Sequence, residues 1–265
     1  MKPSSIQVRE AVDGPLVEIV PMVPLDEGWP RLARDEVELW ILDRAFLESQ
    51  RAACLACLSA GERARSDRLA RPIDQLRWAL FHGAVRRILA GYLGADPATL
   101  LFERSPKGKP RWASSSGESP MDFNLSHSGD LMALACRSTG DIGVDVEVTD
   151  HRTDVQALAA RFFHPNEGAA MMAGPEGPAR ALFFQWWTAK EALLKCRGEG
   201  LTDHLDTLDF SDWTAAGWAC IESPPRPPSL AWRFGAGEAW TGTLVTVAPV
   251  SRVKLRSAAH SRAAQ

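Results

Sequence analysis

Bulky apolar residues alternate with polar ones from Val37 to Asp43, a period of two that predicts a half-buried strand. The pattern then lengthens. Apolar positions recur near the 3.6-residue helical period at Leu76, Leu80, Val85, Ile88 and Leu89, predicting a helix over 74–93 after a shorter one over 46–58. Pro72 marks a break before the longer helix, and Gly91 and Gly94 punctuate its end. Short strands are predicted at 100–103, 122–125, 132–137, 141–147 and 243–247, with helices at 155–163 and 178–196. A loop is expected at the proline-rich stretch 224–228. Strand-helix-strand order thus occurs twice, before and after about residue 140, with no internal sequence repeat. This predicts a two-lobed α+β architecture: an extended lead-in over 1–34, lobes over 35–140 and 141–250, and a loose tail over 251–265.

Composition narrows the class. The chain has 265 residues, 45% hydrophobic and 24% charged, with a formal net charge of −3. That charge argues against a large nucleic-acid footprint, which normally shows as a basic excess. No apolar run reaches the roughly 20 residues that span a bilayer, and 1–15 lacks a signal-peptide core, so a cytoplasmic protein is expected. The ten tryptophans beside a single tyrosine have no physical explanation in the pattern. Cysteines at 54, 57, 136, 196 and 220 are odd in number, which argues against a disulfide framework. Cys54 and Cys57 have metal-pair spacing but sit in a helical stretch with no second pair, so they read as small apolar residues.

Four short motifs carry chemistry. In a strand, Asp145 and Glu147 project to one face while Val144 and Val146 go to the other. Two adjacent carboxylates repel, and a hard cation such as Mg²⁺ relieves that and accepts phosphate ligands; taken alone, such a pair is more often a solvated strand edge. In Trp186-Trp-Thr-Ala-Lys-Glu-Ala-Leu-Leu-Lys195, helical spacing puts Trp187, Glu191 and Lys195 on one side. Glu191 there is either half of an ordinary helix salt bridge or a third metal ligand beside a buried aromatic run. Phe123-Asn-Leu-Ser-His-Ser128 reads as a strand ending in small polar groups at a Gly129 turn, suited to a phosphate or merely to a polar turn. Lys107-Gly-Lys109-Pro110 places point positive charge just upstream. The remaining histidines, 82, 151, 164, 204 and 260, lack partners at metal-ligand spacing, and no nucleotide-binding glycine loop or G-x-S-x-G elbow is present.

Read in order, GKP, FNLSHS, GVDVE, RFFHPNE and WWTAKEALLK with Gly198 and Gly200 resemble the Sfp-type 4′-phosphopantetheinyl transferases from Lys107 to Leu201. A fainter likeness runs back through Leu58-Ser-Ala-Gly-Glu-Arg to Arg77 and forward to the final strand. The resemblance implies two similar α+β lobes in pseudo-twofold arrangement with the active site in the cleft between them. It implies Mg²⁺ held by Asp145, Glu147 and Glu191, and Lys195 on the pyrophosphate of coenzyme A. Ser126 or Ser128, His127 and Lys109 would then lie near the adenosine 3′-phosphate, with Arg65 and Arg77 among the basic residues holding coenzyme A. The implied reaction is attack of a carrier-protein serine on the β-phosphorus, releasing adenosine 3′,5′-bisphosphate, with Glu191 or a metal-bound water as base and Lys195 supporting the leaving phosphate. The implied partner is an acidic, helical apo acyl or peptidyl carrier protein, and the implied state a monomer; Phe162 and Phe163 read either as the apolar patch that meets the carrier or as core residues. Two departures stand out: arginines replace the lysines of many relatives in the first lobe, and Ser114–Gly117 lengthens one loop. A catalytically silent coenzyme A- or carrier-binding homologue is the alternative, opposed by the intact carboxylate set; another metal-dependent phosphoryl enzyme is a third reading.

Overall fold

Twelve strands and seven α-helices follow one another along the described part of the chain. In order they are β1 (Gln7–Ala11), β2 (Leu16–Ile19), β3 (Glu36–Asp43), α1 (Arg44–Glu48), α2 (Arg51–Ala56), α3 (Ala60–Asp67) and α4 (Pro72–Leu93). The hairpin ribbon β4 (Phe102–Arg104) and β5 (Pro110–Trp112) leads to β6 (Asp122–Ser128), β7 (Leu131–Arg137) and β8 (Ile142–Val148). Then come α5 (Val155–Phe162), α6 (Pro165–Met172), α7 (Glu176–Arg197), β9 (Trp218–Ser223), β10 (Arg226–Ala236), β11 (Trp240–Val247) and β12 (Arg252–Ser257). This computed structural model describes residues 7–11, 14–25, 28–113, 121–149, 152–199, 205–213, 217–223, 226–247 and 249–258. The Ser114–Gly117 loop, Gly200, Leu201, Pro224 and His151, His204 and His260 lie outside them.

The strands form two five-stranded sheets and the β4-β5 ribbon, a mixed α+β fold. One sheet has the order β2-β12-β3-β7-β6, the other β1-β9-β10-β11-β8. Alternation within β3 explains the layering. Trp40 and Leu42 join Leu80, Phe81, Ile88 and Leu89 of α4 in one core. Val37, Leu39 and Ile41 point the other way and meet Val144, Val146 and Leu244 of the second sheet. The second sheet packs its far face on α7, where Phe183, Trp186 and Leu193 meet Ala231 and Val245. Helices α4 and α7 match in form: each has 22 residues and ends on a left-handed glycine, Gly94 at φ 60° and Gly198 at φ 65°. No helix among the described residues is long and apolar enough to cross a membrane.

The expected boundaries shift in several places for identifiable reasons. The helix expected over 46–58 divides into α1, which Asp43 caps by accepting from the Phe46 N–H at 2.7 Å, and α2 beyond Ser49. Pro72 opens α4 at its first turn, where its missing N–H costs nothing. Helices α3 and α6 were not expected, yet both begin with capping boxes, Ser59 with Glu62 and His164 with Glu167. Strand β6 runs through Ser128, past the 122–125 span and in line with the strand read through Phe123–Ser128 to the Gly129 turn. Arg226–Pro228 opens β10 instead of forming a loop, with a register break between Arg226 and Ser229 that accommodates the prolines.

The chain ends depart most from expectation. The lead-in holds β1, which pairs with β9 of the second sheet, and β2, which lies in the first. The tail expected to be loose supplies β12, inserted in parallel between β2 and β3 with Val253 fully buried. The two sheets therefore do not divide the chain into contiguous halves at residue 140.

Candidate active site

Strands β6 and β8 are the terminal strands of their respective sheets in the strand order, and the site lies where these two edges meet. Val144 and Val146 bury themselves between the sheets, so Asp145 and Glu147 face α7. Gly143 makes that approach possible: a Cβ there would stand 2.1 Å from the Ala192 carbonyl oxygen of α7. One helical turn apart on α7, Glu191 and Lys195 meet the strand carboxylates.

Lys195 Nζ donates to Asp145 Oδ1 at 2.6 Å and to Ser126 Oγ at 3.0 Å. Asp145 is 3% exposed; its Oδ2 and Glu191 Oε1 are buried with no hydrogen-bond partner among the described residues. Desolvation pushes the Glu147 carboxyl up to about 7, the Ser128 hydroxyl opposing this and Asp145 reinforcing it. Desolvation raises Glu191 as well, with Asp145 adding to it. The three carboxylates are thus mutually repelling, partly dehydrated groups held on two packed elements.

The donor chemistry fits a hard divalent cation: three carboxylates, two buried oxygens without partners, and charge that one ammonium offsets only in part. Their present spacing does not close around an ion, since no group of three His, Cys, Asp or Glu among the described residues stands in metal-holding geometry. Lys195 currently meets the charge of Asp145.

Strand β6 supplies the opposite wall. Ser126 Oγ donates to Asp145 Oδ1 at 2.7 Å, and Ser128 Oγ donates to Glu147 Oε2 at 2.6 Å. Asn124 Oδ1 accepts from the Val144 N–H at 2.8 Å. His127 points to the other face of β6, its ring centroid 5.7 Å from that of Phe81. Partial desolvation and then the Lys195 charge hold its pKa below the usual histidine value. Lys109 Nζ donates to the Ile142 carbonyl at 2.8 Å, and desolvation lowers its pKa. A cavity of about 260 Å³ joins Lys107, Lys109, Leu125, Glu191 and Lys195.

A neighbouring cavity of about 340 Å³, which shares Pro110 and Leu125 with the first, holds Arg65, Arg104, Trp78 and His82. Arg65 lies 6.0 Å from the Trp78 ring centroid, and Trp78 stacks on His82 at 3.7 Å. Arg77 lines neither cavity. Its Nε bonds Asp130 at 2.5 Å, in the turn that follows Ser128. A larger cleft of about 960 Å³ between the start of α7 and the β10–β11 hairpin contains none of the carboxylates. The phenylalanine pair, read either as a partner-contact patch or as core, is split: Phe163 is buried and stacked on Phe183, leaving Phe162 half-buried against Trp187.

Two contributors escaped the sequence reading. Lys190 and Glu167 form an ion pair at 2.8 Å, both side chains fully buried, and Lys190 also donates to the Leu205 carbonyl at 2.8 Å. This pair joins α6 to α7 one residue before Glu191. Its signal was Glu167 in the HPNE capping box and the lysine inside WWTAKE. Asn124 is the other, visible only as part of FNLSHS.

Two family models match this chain. Residues 141–247 match the sequence model of the 4′-phosphopantetheinyl transferase superfamily, and residues 47–139 match that of the 4′-phosphopantetheinyl transferase N-terminal domain. The chain is 35% identical over 217 residues to 4′-phosphopantetheinyl transferase HetI of Nostoc sp., covering 79% of this chain and 91% of that protein. It is 30% identical over 167 residues to the 4′-phosphopantetheinyl transferase of Bacillus subtilis, covering 63% and 72% of the two chains. A phosphopantetheinyl transferase of Thraustochytrium sp. is 29% identical over 200 residues, 70% and 69% of the two chains. With the carboxylates of β8 and α7 inside the first matched region and the basic cavity bridging both, the chain belongs to the 4′-phosphopantetheinyl transferase superfamily.

Proposed function

We propose that this protein transfers the 4′-phosphopantetheine arm of coenzyme A to a serine of an apo acyl or peptidyl carrier protein, releasing adenosine 3′,5′-bisphosphate. The observation that carries the reading is the set of Asp145, Glu147 and Glu191, with two unpartnered buried oxygens, of which Glu191 lines a cavity together with Lys107, Lys109 and Lys195. Asp145, Glu147 and Glu191 would hold Mg²⁺. Bound there, it supplies positive charge to pyrophosphate oxygens as negative charge builds on them. Glu191, which lines the cavity, accepts the proton of the carrier serine as its oxygen attacks the β-phosphorus and the bond to adenosine 3′,5′-bisphosphate breaks. Lys195 leaves Asp145 for the phosphate being released. Lys109 borders the same cavity and Arg65 the adjoining one, and both contact the phosphates at the nucleotide end. Ser126, His127 and Arg77 surround the β6 turn and complete the coenzyme A contacts in this reading. The matched helices α4 and α7, each packed on its own sheet, support a two-lobed arrangement with the site in the cleft.

Intact-mass spectrometry of apo carrier proteins incubated with this protein, coenzyme A and Mg²⁺ tests the proposal. One added phosphopantetheine arm is expected, absent with EDTA and absent with folded Asp145→Ala protein. Undiminished transfer by that variant would sink the metal assignment. No transfer to any carrier, with coenzyme A still bound by calorimetry, would favour a silent binding homologue.

A further inference from the structure

Strand β6 does not continue the backbone ladder of β8, whose hydrogen-bonded neighbour in the sheet is β11. An edge strand exposes unpaired N–H groups, and here side chains of β6 meet them. Asn124 accepts from the Val144 N–H at 2.8 Å, and Ser128 Oγ accepts from the Val148 N–H at 3.1 Å. Asn124, Ser126 and Ser128 alternate along β6 and so share one face. The same face that closes the edge also holds the carboxylates.

Ser128 does both at once. Its oxygen is fixed by the Val148 N–H, and its hydroxyl hydrogen is directed at Glu147 Oε2, 2.6 Å away. With the hydroxyl committed at both ends, it defines where one carboxylate oxygen stands and leaves the other for a further partner. Ser126 is less separable, since its oxygen is shared between Asp145 and Lys195. The Ser128 hydroxyl is engaged with the carboxylate and the β8 backbone.

We propose that Ser128 is a positioning residue that orients Glu147 for a divalent cation, acting on cation affinity and not on the phosphates of coenzyme A. The inference rests on the transfer reading only for the identity of the cation and its substrate. Partners that orient a metal-binding group characteristically change metal affinity or activity by about 10- to 100-fold when removed. Ser128 therefore belongs to the carboxylate side of the site, although it sits in the motif whose resemblance implied a phosphate contact.

The experiment measures two affinities separately: Mn²⁺ by electron paramagnetic resonance in the absence of nucleotide, and adenosine 3′,5′-bisphosphate by calorimetry in EDTA. Ser128→Ala is expected to weaken Mn²⁺ by about 10-fold or more and to leave the bisphosphate unchanged. Ser128→Thr, which keeps the hydroxyl, should restore Mn²⁺ binding. If the alanine variant fails to fold, the isosteric pair Ser128→Thr and Ser128→Val makes the same comparison, both being β-branched and suited to a strand. Unchanged Mn²⁺ affinity in the alanine or valine variant would overturn the inference. So would a matching loss of bisphosphate affinity, or a threonine variant no better than valine. Wild-type protein that binds Mn²⁺ but transfers nothing would count against the proposed function while leaving the Ser128 assignment standing. Wild-type protein that binds no Mn²⁺ would overturn both the metal assignment and this one.

Discussion

Glu147 shows how burial changes the acidity of an ordinary side chain. Its carboxyl titrates near 7 in the folded protein against a usual 4.5, chiefly through desolvation. Between those values the folded state binds more protons than the unfolded chain, so unfolding free energy falls as pH rises. The stability associated with Glu147 is fully present below about 4.5 and is lost as pH passes about 7. Thermal melts of EDTA-treated protein should therefore show a falling Tm from pH 5 to pH 8, shallower in Glu147→Gln. An equal slope in the two proteins would refute the assignment of that slope to Glu147. Period two in a strand made Asp145 and Glu147 legible as one pair and period 3.6 in a helix made Glu191 and Lys195 legible as another, while only the family resemblance joined Glu191 to the strand carboxylates. Lys195 was legible as a neighbour of Glu191, but its bond to Asp145 depends on how α7 lies on β8 and no spacing encodes it.

Helix α7 is held in place by the pair one residue before its candidate base. Lys190 is fully buried, its ammonium shared between Glu167 and the Leu205 carbonyl, and Phe210 donates its N–H to the other Glu167 oxygen at 2.9 Å. Desolvation lowers Lys190 and raises Glu167, each opposed by the other's charge. Removing one partner strands a buried charge, which characteristically costs about 3–5 kcal/mol. Glu167→Ala should lower urea-unfolding stability by about that amount, and a loss under about 1 kcal/mol would mean the pair is replaceable. The Ser59–Glu62 capping box was present in the sequence and would have placed α3, as Pro165 at the first helical position would have marked the start of α6. They were missed because these short helices carry little apolar periodicity, each having eight residues.

The termini tie the two sheets into one molecule. β1 extends the second sheet from the N-terminal side, and β12 fills the first sheet from the C-terminal side, between β2 and β3. Arg256 of β12 pairs with buried Glu38 and lies over Trp40 at 5.1 Å and Trp29 at 5.6 Å. Ending the chain after Val250 should leave the β3 edge unpaired and its inter-sheet core uncovered where Val253 was. Loss of cooperative thermal unfolding and recovery in the insoluble fraction are the expected results; a soluble truncated protein with unchanged Tm would show β12 to be dispensable. Local pattern was enough for the strand carrying Asp145 and Glu147, the two long helices and the α+β class, because those depend on which residues alternate or recur within a few positions. The place of β1 and β12, the β6 side chains that close the β8 edge and the turning of Ser128 onto Glu147 come from contacts between residues far apart in the chain. Such contacts leave no period to read, and only the packing of one sheet against the other brings them together.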